Sequence, residues 1–249
     1  ECEDTSKNLS KIGLKNIVLK IKKKINSNIQ KQARDERYAL LFSFCKKKKV
    51  SYLLTAHHLD DQVENFYIRL TRGSGLYGLS SMKTLEKNAK GINVLRPFLN
   101  FKKKDLDYAA KKKFKNYISD PSNKNEKFLR SRIRKLKKNL SKEGLNDERI
   151  LKTIHNLNSA KEALSFYVEI ALKNHIKQKK YKLEIDKQLF KQEPFEIVYR
   201  SISELIRQKS KSDYPPRSKG IENLIKSIQK TGFKNVTLGG FLFSSYKNK

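Results

Sequence analysis

VSYLLTAHHLDDQVENFYIRLTR spans residues 50–72, and its two halves follow different patterns. Val50 to Ala56 is compact and mostly apolar, as a buried parallel strand is. From Asp60 to Arg72 the apolar residues Val63, Phe66, Tyr67 and Leu70 recur at helical spacing. A strand running straight into a helix is the unit of a parallel α/β sheet, and ligands bind at that edge. Asp61 and Glu64 share the first turn of the helix, and His57 at the strand end faces the same crevice. Free N–H groups at a helix start favour phosphate, whereas carboxylates there repel it unless a divalent cation lies between. The pattern predicts Mg²⁺ at Asp61 and Glu64, with His57 donating to a phosphate or polarising a reacting oxygen. Two plainer readings stay open. Asp60 serves only as a helix cap beside incidental histidines, or His57, His58 and Asp61 hold zinc.

Outward from this junction the order continues. Lys15 to Ile21 (KNIVLKI) has the β-branched content of a strand. Asn26, Ser27 and Asn28 offer caps for a helix reaching about Lys46, with Ile29, Ala33, Leu40, Leu41, Phe44 and Cys45 at helical spacing. Strand, helix, strand, helix predicts part of a parallel sheet. A glycine-punctuated loop, Arg72 to Leu79, follows, then Val94–Phe98 breaks the pattern and Lys104 to Phe114 reads as a helix. Asp120–Asn123 reads as a turn. Leu129, Ile133, Leu136 and Leu140 form the stripe of the next helix. Arg130 and Arg132 flank that stripe, and Arg134 points away toward solvent.

Gly144 marks the expected domain boundary, giving domains 1–143 and 144–249. The second reads as mainly helical. It has a long helix from Asp147 to about Ile176, a strand near Tyr181–Ile185, and helices after Pro194 and Arg217. A hairpin follows around Gly239–Gly240.

Composition narrows the classes. The 249 residues carry 57 Lys+Arg against 25 Asp+Glu, a formal charge of +32, which attracts nucleic acid first and acidic lipid second. Of the basic residues 45 are Lys and 12 Arg, so A/T-rich codons account for part of the excess and the arginines are the sharper signal. At 37% hydrophobic the chain folds rather than remaining a charged tail. No uncharged run is long enough to span a membrane. Cys2 and Cys45 make neither a disulfide framework nor a four-cysteine zinc site, which suits the cytoplasm. Glu1 opens the chain and Met82 is the sole methionine, so the chain reads as a piece without its original N-terminus.

AHHLDDQVEN followed by FYIRLTRGSGLYGLSSM resembles the second signature of the tRNA(Ile)-lysidine synthase family, within the N-type ATP pyrophosphatases (PP-loop proteins). Further blocks match in order: Ser27–Gln30 with Ala33–Arg34 and Arg37–Tyr38, Leu95–Leu99, Asp120–Asn123, and Phe128–Arg134. The resemblance implies a partial PP-loop catalytic domain followed by a helical, tRNA-binding region. It implies ATP and Mg²⁺ as cofactors, and tRNA(Ile) with a CAU anticodon and free L-lysine as partners. ATP adenylates C2 oxygen of the wobble cytidine, then the lysine ε-amine displaces AMP to give lysidine. Carried over by position, His57, Asp61, Arg37 and Arg132 are catalytic, and His57, Asp61 and Glu64 bind ATP or metal, with Glu64 otherwise a partner of the lysine amine. Arg130, Arg132, Gly73 and Gly75 contact the substrate or tRNA. The family's Ser-Gly-Gly-x-Asp-Ser phosphate loop does not occur in the sequence and is expected upstream of Glu1. The chain alone is therefore expected to bind tRNA weakly and to make no lysidine. A homodimer is left open. The rival expectations are a related tRNA thiolase, which the unpaired cysteines disfavour, and a non-catalytic RNA-binding fragment of a decayed gene.

Overall fold

The computed structural model describes residues 2–21, 29–87, 91–114, 127–180, 182–210 and 215–245. These fall into two compact units, Glu1–Leu157 and Asn158–Lys249. The fold is α/β in its first part and mainly helical in its second.

The first unit contains α1 (Cys2–Lys11), α2 (Ile29–Lys47), β1 (Tyr52–Leu54), α3 (Leu59–Leu70) and a short α4 (Leu76–Leu79). It continues through β2 (Leu85–Glu86), β3 (Asn93–Leu95), α5 (Lys103–Lys113), α6 (Leu129–Lys142) and the first turns of α7 (Asp147–His175). The sheet order is β1-β3-β2. β1 runs parallel to β3 with Leu53 opposite Val94, and β2 lies antiparallel to β3 with Glu86 opposite Val94. α3 buries Val63, Phe66 and Tyr67 against Ile133 of α6 and Ile150 and Ile154 of α7. That explains why α3 forms: its apolar stripe is matched by two other helices, and its polar side is left for the site.

Two strand expectations are corrected. Lys15–Ile21 forms neither helix nor strand, and Ile17 is 64% exposed. β-branched residues favour a strand only where a neighbouring strand accepts them, and none does so among the described residues. Val50–Ala56 does contain a parallel strand, but it is not buried: Tyr52 and Leu54 are exposed. They alternate onto one face, and the described residues leave that face uncovered. The helix expected from Lys104 is α5, and the Arg72–Leu79 loop closes with α4. The Asn26–Asn28 caps and the Asp120–Asn123 turn lie outside the described residues.

α6 ends at Lys142 with Glu143 as its cap, and Gly144 takes a φ of 87° that favours glycine. The packing division nevertheless falls inside α7, because Ile150 and Ile154 belong to the first unit's core.

The second unit holds the rest of α7, the β4–β5 hairpin (Ile176–Gln178 and Leu183–Ile185) and α8 (Gln188–Gln192). It ends with α9 (Phe195–Ser210), α10 (Ser218–Gln229) and the β6–β7 hairpin (Val236–Leu238 and Phe241–Phe243). Val168, Ala171, Leu189, Ile202, Ile221, Leu224 and Ile225 form its core. The hairpin turns on Gly239 and Gly240 at φ 62° and 82°, the signs a type I′ turn needs.

Candidate active site

The site is built at the β1-to-α3 junction. Leu59 N–H donates to the Phe101 carbonyl at 2.9 Å, which fixes the start of α3 to the turn after β3. His58 is the residue before the helix, and its N–H donates to Asp61 Oδ2 at 3.1 Å. Asp61 thus closes its own helix start, as the acidic member of a capping box does. Asp60 does something different. Its Oδ2 accepts from the Lys103 N–H at 2.8 Å, so it caps α5 rather than α3.

Glu64, one turn on, is buried and gripped by two arginines from α6. Arg134 donates from Nε to Oε1 at 2.5 Å and from Nη2 to Oε2 at 3.2 Å. Arg130 Nε lies 3.2 Å from Oε2, and its Nη2 lies 3.7 Å from Asp61 Oδ1. Residues 130 and 134 stand one helical turn apart, so both reach the same face of α3. In this fork-on-carboxylate geometry the hydrogen bond to Glu64 raises the Arg134 pKa above the ordinary guanidinium value.

His57 Nδ1 lies 2.9 Å from Thr55 Oγ1. Burial lowers the His57 pKa below the ordinary imidazole value. Asp61 opposes that shift, while the charges of Arg96, Arg34 and Arg130 reinforce it. The imidazole is therefore neutral at neutral pH and sits in a field that favours anions.

The Arg72–Lys83 loop is pinned beside this centre. Arg69 Nη1 donates to the Gly78 carbonyl at 2.6 Å, and Arg96 Nη1 donates to the Lys83 carbonyl at 2.8 Å. Gln62 brackets Met82, donating to its carbonyl and accepting from its N–H, both at 3.0 Å. Ser81, also bonded to Gln62, is held at a φ of 69°, an uncommon region for a non-glycine residue.

Of the sequence-derived residues, the structure brings together His57, Asp61, Glu64 and Arg130. Arg132 is exposed and donates to the Lys127 carbonyl at 2.9 Å. Arg37 is exposed on α2, and Arg34 is the α2 arginine whose charge reaches His57. Gly73 closes α3: its N–H bonds the Leu70 carbonyl and the Ser74 N–H bonds the Arg69 carbonyl, a Schellman pattern. Gly75 precedes α4 as its cap. Arg134, expected in solvent, is instead the strongest partner of Glu64. Arg96, 5% exposed, was not singled out from the sequence.

A cation between Asp61 and Glu64 does not fit this arrangement. Both Glu64 oxygens face arginines, and Asp61 Oδ2 is taken by the His58 N–H. Mg²⁺ needs an octahedron of oxygens, and no cluster of three or more acidic, His or Cys side chains able to hold a metal occurs among the described residues. Among them, no helix is long and apolar enough to cross a membrane.

The chain is 37% identical over 228 residues to the tRNA(Ile)-lysidine synthase of Wolbachia pipientis wMel, covering 90% of this chain and 52% of that one. It is 36% identical over 216 residues to the enzyme of that name from Orientia tsutsugamushi (strain Boryong), covering 82% and 48%. The Campylobacter jejuni (strain RM1221) protein of the same name is 40% identical over 121 residues, covering 49% and 37%. The chain spans about half the length of the first two relatives. With a PP-loop domain matched across residues 1–140, the very span that carries His57, Asp61, Glu64, Arg130 and Arg134, this chain belongs to the PP-loop family.

Proposed function

We propose that the chain is part of an enzyme that uses ATP to join lysine to C2 of the wobble cytidine of a tRNA(Ile) with a CAU anticodon. The observation that carries this reading is the Asp61–Glu64 pair beside a neutral His57 in a ring of arginines. The names of the relatives support it.

The chemistry follows from the charges. A carbonyl oxygen leaves poorly until it becomes a phosphate ester. The cytidine O2 therefore attacks the α-phosphorus of ATP, and pyrophosphate departs. Arg34, Arg96 and Arg130 supply the positive field for the phosphates, and neutral His57 can donate to a phosphoryl oxygen without carrying charge. The lysine ε-ammonium, with an ordinary pKa of about 10.4, is drawn to Asp61, because both Glu64 oxygens already face arginines. It must shed a proton before it attacks C2, and Asp61 is the carboxylate with an oxygen not taken by a short hydrogen bond. AMP then leaves with the former carbonyl oxygen. In this reading Glu64 anchors Arg130 and Arg134 beside the site and takes neither substrate nor metal itself. Mg²⁺ would be supplied with the nucleotide rather than held by this pair of carboxylates.

The test uses the protein encoded by the whole reading frame, supplied with labelled lysine, ATP and tRNA. Incorporation that requires both ATP and the CAU anticodon, and that Asp61→Asn abolishes, supports the assignment. RNA binding indifferent to ATP, lysine and anticodon would overturn it in favour of a non-catalytic RNA-binding protein, the reading that the +32 charge also accommodates.

A further inference from the structure

From the turn after β3 along α5 runs a row of exposed aromatic and basic side chains that the chemistry above does not use. Phe98 and Phe101 are 39% and 51% exposed, and their rings meet edge to face at 6.2 Å. Lys102, Lys103 and Lys104 follow, all exposed. On α5, Lys104, Tyr108, Lys111 and Lys112 recur at helical spacing on one side, and Tyr108 is 70% exposed between the lysines. The opposite side carries the half-buried Leu106 and Ala110, so this row is not the packing face of the helix. Asp105 is the exposed acid beside it.

Burying phenyl rings would lower the free energy of the folded chain, yet these three stay in water next to cations. Bare helix N–H groups do not explain an anion preference here, because Asp60 already occupies the Lys103 N–H. The side chains themselves must do the binding. Alternating flat rings and ammonium groups suit a polyanion whose bases are unpaired, since rings stack on free bases while ammoniums follow the phosphates. A duplex offers the phosphates without the base faces. Lys104 to Lys111 spans about 10 Å at a rise of about 1.5 Å per residue, room for one to two nucleotides of a splayed strand. The row begins where the Phe101 carbonyl holds the start of α3, beside His58 and Asp61.

We infer that Phe101, Tyr108 and the lysines between and beyond them form a docking surface for the unpaired bases of an RNA loop, leading its strand toward His57 and Asp61. This inference rests on the proposed tRNA substrate but not on the reaction.

The experiment measures binding of the 249-residue chain to a labelled anticodon stem-loop RNA and to a blunt duplex of equal phosphate number, without ATP. The wild-type chain is expected to prefer the stem-loop. Phe101→Ala/Tyr108→Ala should weaken stem-loop binding about tenfold or more and leave duplex binding and the salt slope unchanged. Lys104→Glu/Lys111→Glu should weaken both RNAs and reduce the salt slope by about 2. All four positions are exposed, and matching circular dichroism melts would exclude misfolding. Equal affinity of the wild type for the two RNAs, or aromatic variants that bind as wild type, overturns the inference while leaving the lysine-ligation reading intact. A loop preference that the aromatic variants lose, together with no anticodon- or ATP-dependent lysine incorporation, keeps the surface and removes the enzyme.

Discussion

The two units fill their interiors with different chemistry. In the second, Leu189, Ile202, Ile221, Leu224 and Ile225 are at most 1% exposed, and the buried polar residues are the small Ser201 and Ser203. In the first, Asp61, Glu64 and Arg96 are buried alongside Val63, Phe66 and Tyr67. Removing an ion from water is costly, and a partner only partly offsets it. The first unit accepts that cost at the start of α3 and again at Arg96, and in both places opposite charges pair. Among the described residues, the second buries no charged side chain. Apolar packing fills the interior of one region, whereas the interior of the other is a compromise between stability and a charged site.

This contrast can be broken most readily by Leu224→Ala, which removes a fully buried side chain of α10 from an aliphatic core. It should lower unfolding free energy by about 2–5 kcal/mol, read from a denaturant melt. A loss below about 1 kcal/mol would mean that the second core is loosely packed. Next comes Glu64→Gln, which leaves Arg130 and Arg134 facing a neutral amide. The arginines are partly exposed, so water softens the effect to about 1–3 kcal/mol. Adding Arg130→Met and Arg134→Met should recover much of that loss, since an apolar replacement of a buried ion cluster is tolerated better than a broken one. No recovery would show that the arginines also stabilise the fold by packing.

The smallest effect concerns pH. Burial and the surrounding arginines lower the His57 pKa, so its folded-state value lies below the ordinary 6.5. Where pH lies between the two values, the unfolded chain binds more protons. The His57 contribution is therefore fully favourable above about pH 6.5 and is lost as pH falls through the folded value. NMR titration of the His57 ring should give a midpoint below the ordinary value, and Asp61→Asn should lower it further, because Asp61 is the group that raises it. A midpoint that rises in Asp61→Asn would reverse the electrostatic picture of the site.

Much of this was legible in the chain itself. The helical period of Val63, Phe66 and Tyr67 located α3, the change of period at His57 located the site edge, and the double glycine located the last hairpin. Strand content was less legible. Lys15–Ile21 has strand composition without a partner among the described residues, and pairing is a property of two segments rather than one. The side of α6 occupied by Arg134 was misjudged for a related reason. A helical wheel sorts residues by angle, but a long guanidinium can lie across the stripe and reach an acid on a neighbouring helix. The spacing of Arg130 and Arg134, one turn apart, was the available sign. Arg96 had only its place in the Leu95–Leu99 block, because tertiary contact alone reveals that its guanidinium meets Glu86 at 2.6 Å and the Lys83 carbonyl.

The adjacent aspartates of the HHLDD motif have unequal tasks. Asp60 serves as the oxygen acceptor for the Lys103 N–H, a task Asn, Ser or Thr performs nearly as well, and its charge acts on Arg134 only as the last of several contributions. Asp61 needs its charge as well, because it faces Arg130 and acts on His57. Neighbours with the same letter therefore do different work: the first ties two helix starts together, and the second carries charge into the site.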